Sequence, residues 1–479
     1  MLKVVWQNRD NLNYAWKVLS RGVCDGCALG VAGFHDWTMD GVHLCMTRLN
    51  LLRLNTMPAM GHDELKSVAA LKILRNDELR ALGRLAYPML REGAEPGFRR
   101  ISWDEAKARI GRRLRNTAPE RMGFFLTSRG ITNETYYVAQ KVARFLGTNN
   151  IDNAARLCHS PSTAAMKQAL GVAASTCSYI DFWDANLIVF FGSNPANDQP
   201  VSIKYLVEAK KRGAKVILVN PYLEPGMQRY WVPSTPGSAV FGSDIADTWF
   251  PVSQGGDIAF LYGTLKALFE MNGQNHAFIN AHTHGFDAIR QRAESLDWQT
   301  LENAAGLPQS AMRDFAILLA SADRAILVWS MGITQHVFGA DAVSLIIDVA
   351  LARGFVGKKG CGLMPIRGHS SVQAGAEMGA YATAFPGGVA VNAVNAAILA
   401  AQYGFPIPSG PGLSAVDMID ASASGHLDLL YCLGGNFMST LPEPVYASPL
   451  LRNCPLCAAR LYSNAAVTWR TPPSSAGRH

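Results

Sequence analysis

Four times along this chain an apolar run ends in a loop of small and polar residues and then gives way to a helical pattern. The stretches are "MGFFLTSRGITNE" (122–134), "NLIVFFGSNPAND" (186–198), "RAILVWSMGITQH" (324–336) and "LDLLYCLGGNFM" (427–438). After the second, "VSIKYLVEAKKRG" leads straight into another run, "AKVILVNP" (214–221). Runs of this length read as strands, and helices between them imply βαβ units and parallel pairing. The expected class is α/β, with parallel-sheet, doubly wound (Rossmann-like) domains. At 479 residues the chain is too long for one core, so it is multidomain.

In open parallel sheets ligands bind outside the carboxyl ends of the strands. Here those ends carry Ser128-Arg129-Gly130, Gly192-Ser193-Asn194, Ser330-Met331-Gly332 and Gly434-Gly435-Asn436. Small residues let backbone approach a phosphate, and exposed amide hydrogens can hold it. With Arg129 and Arg367 at hand, the pattern points to a large, anionic, nucleotide-like ligand. Ordinary tight α/β turns are the alternative.

The formal charge of +7 and pI of 8.9 suit bound anions. The basic residues are scattered, and the densest stretch, 99–115, carries acids too. It reads as a helix with Trp103, Ala106, Ile110 and Leu114 inward. No basic strip interleaved with aromatics suggests a nucleic-acid partner. No apolar run approaches the ~20 residues of a membrane helix, and the start has no secretory pattern. The expected location is the cytoplasm, where nine cysteines are thiols or metal ligands rather than disulfides.

Two cysteine settings could carry chemistry. Cys24, Cys27 and Cys45 combine Cys-x-x-Cys with a third sulfur 18 positions on. Three thiolates suit an iron–sulfur cluster, or zinc completed by His35 or His43. Cys158 stands beside His159, closed off by Ser160 and Pro161. Cys158 could be a nucleophile, a sensing thiol, or a ligand to a soft metal with His159 as a nearby proton acceptor. A plain loop cysteine is equally compatible with the residues. Cys177, Cys361 and Cys432 read as core. His276, His282 and His284 read as a solvent loop, and the ending from Cys454 as an irregular tail.

These motifs resemble the molybdopterin oxidoreductases, and among them the alpha subunits of formate dehydrogenases. Asn150, Asp152, Arg156, Cys158, His159, Pro161 and Ser162 are similar to that family's active-site segment. "SRGITNETYYVAQKVARFLGTNN", "MGITQH" and "GCGLMPIRGHSSVQAGAEMGA" follow in the family's order. The wording of the N-terminal stretch resembles that of the YdeP-type subgroup. The resemblance implies molybdenum bis(molybdopterin guanine dinucleotide) in a central cofactor cleft, with Cys158 as molybdenum ligand and His159 as proton acceptor. It implies a 4Fe-4S cluster on Cys24, Cys27 and Cys45, and a partner protein for electron transfer. Arg129, Gly130, Asn133, Gly192, Ser193, Asn194, Asn220, Asp257, Gly332, Gln335, Arg367, Gly368, Gly434 and Asn436 are the residues it implies around the cofactor. The reaction implied is two-electron redox of a small molecule.

Two positions depart from the family. Val31 stands where a further cluster cysteine is usual, and Ser344 where formate dehydrogenases carry an arginine, so the fourth cluster ligand and the substrate stay open. The expected division is an iron–sulfur region over 1–95, a discontinuous domain over 96–152 and 346–445, a dinucleotide-binding domain over 153–345, and a tail over 446–479. The family's C-terminal capping domain is expected to be absent. A non-catalytic cofactor-binding scaffold and a metal-free thiol enzyme or sensor are the alternatives.

Overall fold

In a computed structural model, the structure describes residues 2–21, 27, 41–92, 95–435, 441 and 456–459. Two sheets carry the architecture. Their strands, in chain order, are β1 (Met122–Leu126), β2 (Ile151–Asn153), β3 (Leu187–Phe191), β4 (Lys215–Val219), β5 (Thr248–Phe250), β6 (Ala325–Trp329), β7 (Gly362–Pro365), β8 (Leu429–Leu433) and β9 (Leu456–Ala459). The helices that matter below are α1 (Trp103–Arg115), α2 (Asn133–Phe145), α3 (Arg156–Leu170), α4 (Ser202–Lys211), α5 (Asp257–Glu270), α6 (Gln309–Ser321), α7 (Gly339–Arg353) and α8 (Ala415–Ala423).

The chain forms two compact units: residues 1–51 with 158–368, and 52–157 with 369–479. In the first unit five strands lie in the order β7-β6-β3-β4-β5, all parallel. Alternate residues of each strand enter different cores. Leu187, Val189 and Phe191 pack with Phe260 and Leu261 of α5, Phe315 of α6 and Ile346 of α7. Ile188 and Phe190 pack with Ile203 and Leu206 of α4. A strand covered on both faces needs apolar residues throughout, which is why these runs are continuous rather than alternating.

In the second unit the order is β9-β8-β1-β2, again parallel. Phe125 packs with Met418 of α8. Phe124 and Leu126 pack with Tyr136 and Ala143 of α2. The fully buried Arg144 ties α2 to the segment beyond it, donating to the carbonyls of Gly379 at 2.8 Å and Ala384 at 3.1 Å.

Several expectations change. The boundary expected at 345/346 falls instead at 368/369, because β7 is the parallel neighbour of β6 and α7 packs under the same sheet. The N-terminal residues divide as well, with 1–51 in one unit and 52–95 in the other. Residues 456–459, expected in an irregular tail, form a strand beside β8. His276 and His282 lie in a helix, His276–His282, capped by Asn275. In α1, Ile110 and Leu114 face inward, but Trp103 at its first position is 68% exposed.

Candidate functional site

The five-stranded sheet reverses its direction of growth at β3. From β3 the chain steps outward to β4 and β5, then returns to β6 on the opposite side of β3 and continues to β7. Such a switch point opens a crevice at the carboxyl ends of the two central strands. Two glycines meet there. The Gly332 N–H donates to the Gly192 carbonyl at 3.0 Å. Gly192 has φ +49°, and a Cβ on it would lie 2.7 Å from the Gly332 carbonyl carbon. Neither a side chain nor an ordinary backbone conformation fits.

Cys158 and His159 face this point. They sit at the start of α3, where His159 breaks helical geometry (φ −123°, ψ 20°) two residues before Pro161. Proline removes an N–H and disfavours helical backbone just before it, which explains an irregular first turn. The Cys158 Sγ lies 3.2 Å from Met331 Sδ, and Thr334 Oγ1 donates to the Cys158 carbonyl at 2.6 Å. Met331 and Thr334 belong to the short helix Met331–Thr334 that follows β6. The thiol therefore points at a strand tip.

His159 is wholly buried. Its Nδ1 is 3.1 Å from Ser162 Oγ, and Ser162 Oγ accepts from the Trp329 indole N–H at 2.9 Å. Nε2 is buried without a hydrogen-bond partner among the described residues. Burial, with the Arg367 charge adding to it, pushes His159 down to about 3, so the ring is neutral. Burial pushes the Cys158 thiol up to about 11 despite the opposing pull of Arg367.

The other expected residues of this unit occupy strand ends or helix starts. Ser193 follows β3, and its hydroxyl is buried with no hydrogen-bond partner among the described residues. Asn194 caps the short helix Pro195–Asp198. Asn220 follows β4 and is engaged locally: its side chain donates to the Tyr222 carbonyl, and its carbonyl accepts from the Trp249 indole. Asp257 opens α5, and burial raises it to about 6. Gln335 closes the Met331–Thr334 helix. Arg367 and Gly368 follow β7, and the Arg367 carbonyl accepts from Gln199 Nε2 at 3.1 Å. Ser344 lies in α7, with its hydroxyl donating to the Ala340 carbonyl at 3.0 Å.

In the second unit Arg129 and Gly130 follow β1, Asn133 opens α2, and Gly434 follows β8. The strands β1 and β8 are adjacent, so these loops share one edge of that sheet. Asn436 and Cys24 lie outside the described residues. Cys27 is buried, and Cys45 is half-buried beside the core that holds Tyr230. Cys361 and Cys432 are buried, as expected of core cysteines, while Cys177 is half-buried. The expected residues thus group by unit, with Cys158, His159, Gly192, Ser193 and Gly332 gathered around one switch point. Thr334 and Trp329 are contributors that sequence reasoning did not single out, and Met331 was expected only as part of the strand-end loop Ser330-Met331-Gly332. Ser162 was expected only as part of a motif.

The molybdopterin oxidoreductase family model matches residues 84–455. The chain belongs to the molybdopterin oxidoreductase family. It is 33% identical over 389 residues to protein YdeP of Shigella flexneri, a match covering 79% of this chain and 50% of that one. It is 32% identical to the F420-dependent formate dehydrogenase 1 subunit alpha of Methanococcus maripaludis, over 78% of this chain and 52% of that one. Against formate dehydrogenase H of Escherichia coli the identity is 30%, over 77% of this chain and 50% of that one. The chain spans about half the length of these relatives. Acetylene hydratase from Pelobacter acetylenicus shares the fold, with TM-score 0.63, 18% identity, and 91% of this chain and 60% of that one covered.

The residues at the switch point of this molybdopterin oxidoreductase suit the family's cofactor. A thiol supplies a soft donor for molybdenum. The orphaned Ser193 hydroxyl and His159 Nε2 are buried polar atoms of the kind that a bound group satisfies. No helix among the described residues is long and apolar enough to cross a membrane.

Proposed function

We propose that this chain performs formate-dehydrogenase-like chemistry: two-electron oxidation or reduction of a small molecule at molybdenum held by two molybdopterin guanine dinucleotides. The observation that carries the reading is the placement of Cys158 Sγ against Met331 at the switch point, with the neutral His159 beside it and Nε2 unpartnered. Cys158 is the proposed metal ligand. His159 Nε2 is the proposed site where a substrate proton is taken up. Gly192 and Gly332 keep the strand ends free of side chains, and Ser193 offers a hydroxyl there. Arg129, Gly130 and Gly434 play the same backbone role at the other sheet. When bound, the molybdenum–pterin group supplies the two-electron step.

Cys24, Cys27 and Cys45 are proposed to hold a 4Fe-4S cluster that passes electrons to a partner protein in the cytoplasm. Formate itself is not assigned, since Ser344 offers no guanidinium to pair with an anion. A metal-free thiol enzyme has less support, because burial keeps Cys158 protonated at neutral pH.

The test is metal and pterin analysis of the full chain made with molybdenum and iron supplied. Molybdenum near one per chain, and pterin fluorescence after denaturation, are expected. Absence of both would overturn the reading. Cys158→Ala should lower molybdenum-dependent dye reduction by more than the roughly 10–100-fold typical of changes outside the ligand set. A visible iron absorbance band that persists when Cys27 and Cys45 are both replaced by serine would remove the cluster assignment.

A further inference from the structure

We propose that residues 52–115, the first part of the second unit, form a docking surface for an acidic protein of the electron-carrier class. The inference rests on the proposed redox reaction, which needs such a partner, and assigns the surface that receives it.

Charge is concentrated here. The stretch holds 14 Lys and Arg against 8 Asp and Glu, so it carries +6 of the chain's formal +7. Its segments are tied to one another. The Met60 N–H donates to the Arg84 carbonyl at 2.8 Å, and the Phe98 N–H to the Leu65 carbonyl at 2.7 Å. The short strands Met89–Leu90 and Arg99–Arg100 pair antiparallel, and Arg109 of α1 reaches Glu92 at 2.7 Å. Most acids are engaged within the stretch. Glu92, Glu95 and Glu105 face Arg99 and Arg109, while Asp63, Asp77 and Asp104 face Lys66, Arg75 and Lys107. Lys72, Arg80, Arg100, Arg112 and Arg115 are exposed and make no ion pair among the described residues. Four of these lie in last helical turns, where a cation also suits the carbonyl ends. Arg100 has no such role. Its guanidinium lies 3.4 Å over the Tyr87 ring, and His62 stacks with that ring at 6.1 Å.

The surface suits a protein better than a polyanion of uniform charge. Ile73 is 82% exposed, and Leu85, Tyr87 and Trp103 are exposed as well. Protein interfaces seat aromatic side chains and arginines together, and there Trp, Tyr and Arg carry most of the binding energy. A phosphodiester gives Ile and Leu no partner. The interleaved acids repel a uniformly negative surface but match a protein's mixed rim. Net positive charge steers an acidic partner at a distance, and the exposed apolar residues hold it on contact. In chain order the stretch continues the helix Met46–Asn55, which starts next to Cys45, a proposed cluster ligand.

The experiment measures binding of an acidic [2Fe–2S] ferredoxin, in its oxidised form, to the full chain by calorimetry. Binding should weaken about tenfold between about 20 and 200 mM salt. Arg80→Gln, Arg100→Gln, Arg112→Gln and Arg115→Gln together should weaken it about tenfold at low salt, chiefly through slower association. Lys211→Gln, Lys215→Gln, Arg292→Gln and Lys358→Gln remove the same charge from exposed positions elsewhere and should leave it within about twofold. Carbodiimide cross-linking of the unaltered chain to the ferredoxin is the second reading, independent of how any variant folds. Links should form at Lys66, Lys72 and Lys107, the three lysines of the stretch. Salt-independent binding or none, equal losses in the two variants, or links confined to other lysines would each sink the proposal. So would a DNA duplex or phosphatidylglycerol vesicles that bind as tightly as the ferredoxin at the same salt. No molybdenum is needed for these measurements, so a chain that contains molybdenum and pterin but fails here loses only the docking surface.

Discussion

At Gly192 two demands meet in one residue, a positive φ and backbone 2.7 Å from where a Cβ would sit. Gly285 has a similar φ, +79°, but open space around it. The pair separates conformational strain from collision. Gly285→Ala should cost about 1 kcal/mol, the usual penalty for alanine in the left-handed region. Gly192→Ala should cost about 2–4 kcal/mol, since strand tips must also part. Thermal unfolding followed by tryptophan fluorescence reads both, and equal shifts would refute the close approach. At this scale the sequence was informative about chemistry. Cys158 beside His159, and glycines at strand ends, could be picked out without coordinates. Trp329 could not, because its bond to Ser162 joins residues 167 positions apart, and nothing in a local pattern marks such a partner.

Among the elements, α7 carries a titratable group at odds with its surroundings. Burial raises Asp348 to about 6, above the ordinary 3.8. The protonated form is thus favoured on folding. Stability from this group is full below about pH 4, falls as pH rises to about 6, and stays low above that. Asp348→Asn should therefore add about 2–3 kcal/mol at pH 8 and less than about 1 kcal/mol at pH 4. Unfolding midpoints at the two pH values check it, and a gain independent of pH would contradict the cause. The strands named in the sequence, β1, β3, β4, β6 and β8, are where the apolar runs put them, because a strand buried on both faces must be continuously apolar. The short strands β2, β5, β7 and β9 were missed, since three or four residues carry too little periodicity. The exposed Trp103 shows the same limit from the other side, as helical spacing names a face but not how far packing extends along it.

The whole chain pairs two parallel-sheet units built from interleaved segments, each with glycine-bearing loops at its strand ends. A ligand that binds only the folded state raises stability with its occupancy, by about 4 kcal/mol at 1,000 times its Kd. Chain produced with molybdenum should thus unfold roughly 4 °C higher than chain produced without it. Scanning calorimetry of the two preparations tests this, and coincident midpoints would argue against cofactor held by the fold. The sequence by itself determined the α/β class, the family and the Cys158-His159 pair, because strand hydrophobicity, turn residues and motif order are local properties that survive in one dimension. Only the tertiary structure decided that β6 and β7 share a sheet with β3, that Gly192 touches Gly332, and that Met331, Ser162 and Trp329 surround the pair. Those facts depend on which distant segments pack together, and packing is set by complementary surfaces whose partners no short window of sequence contains.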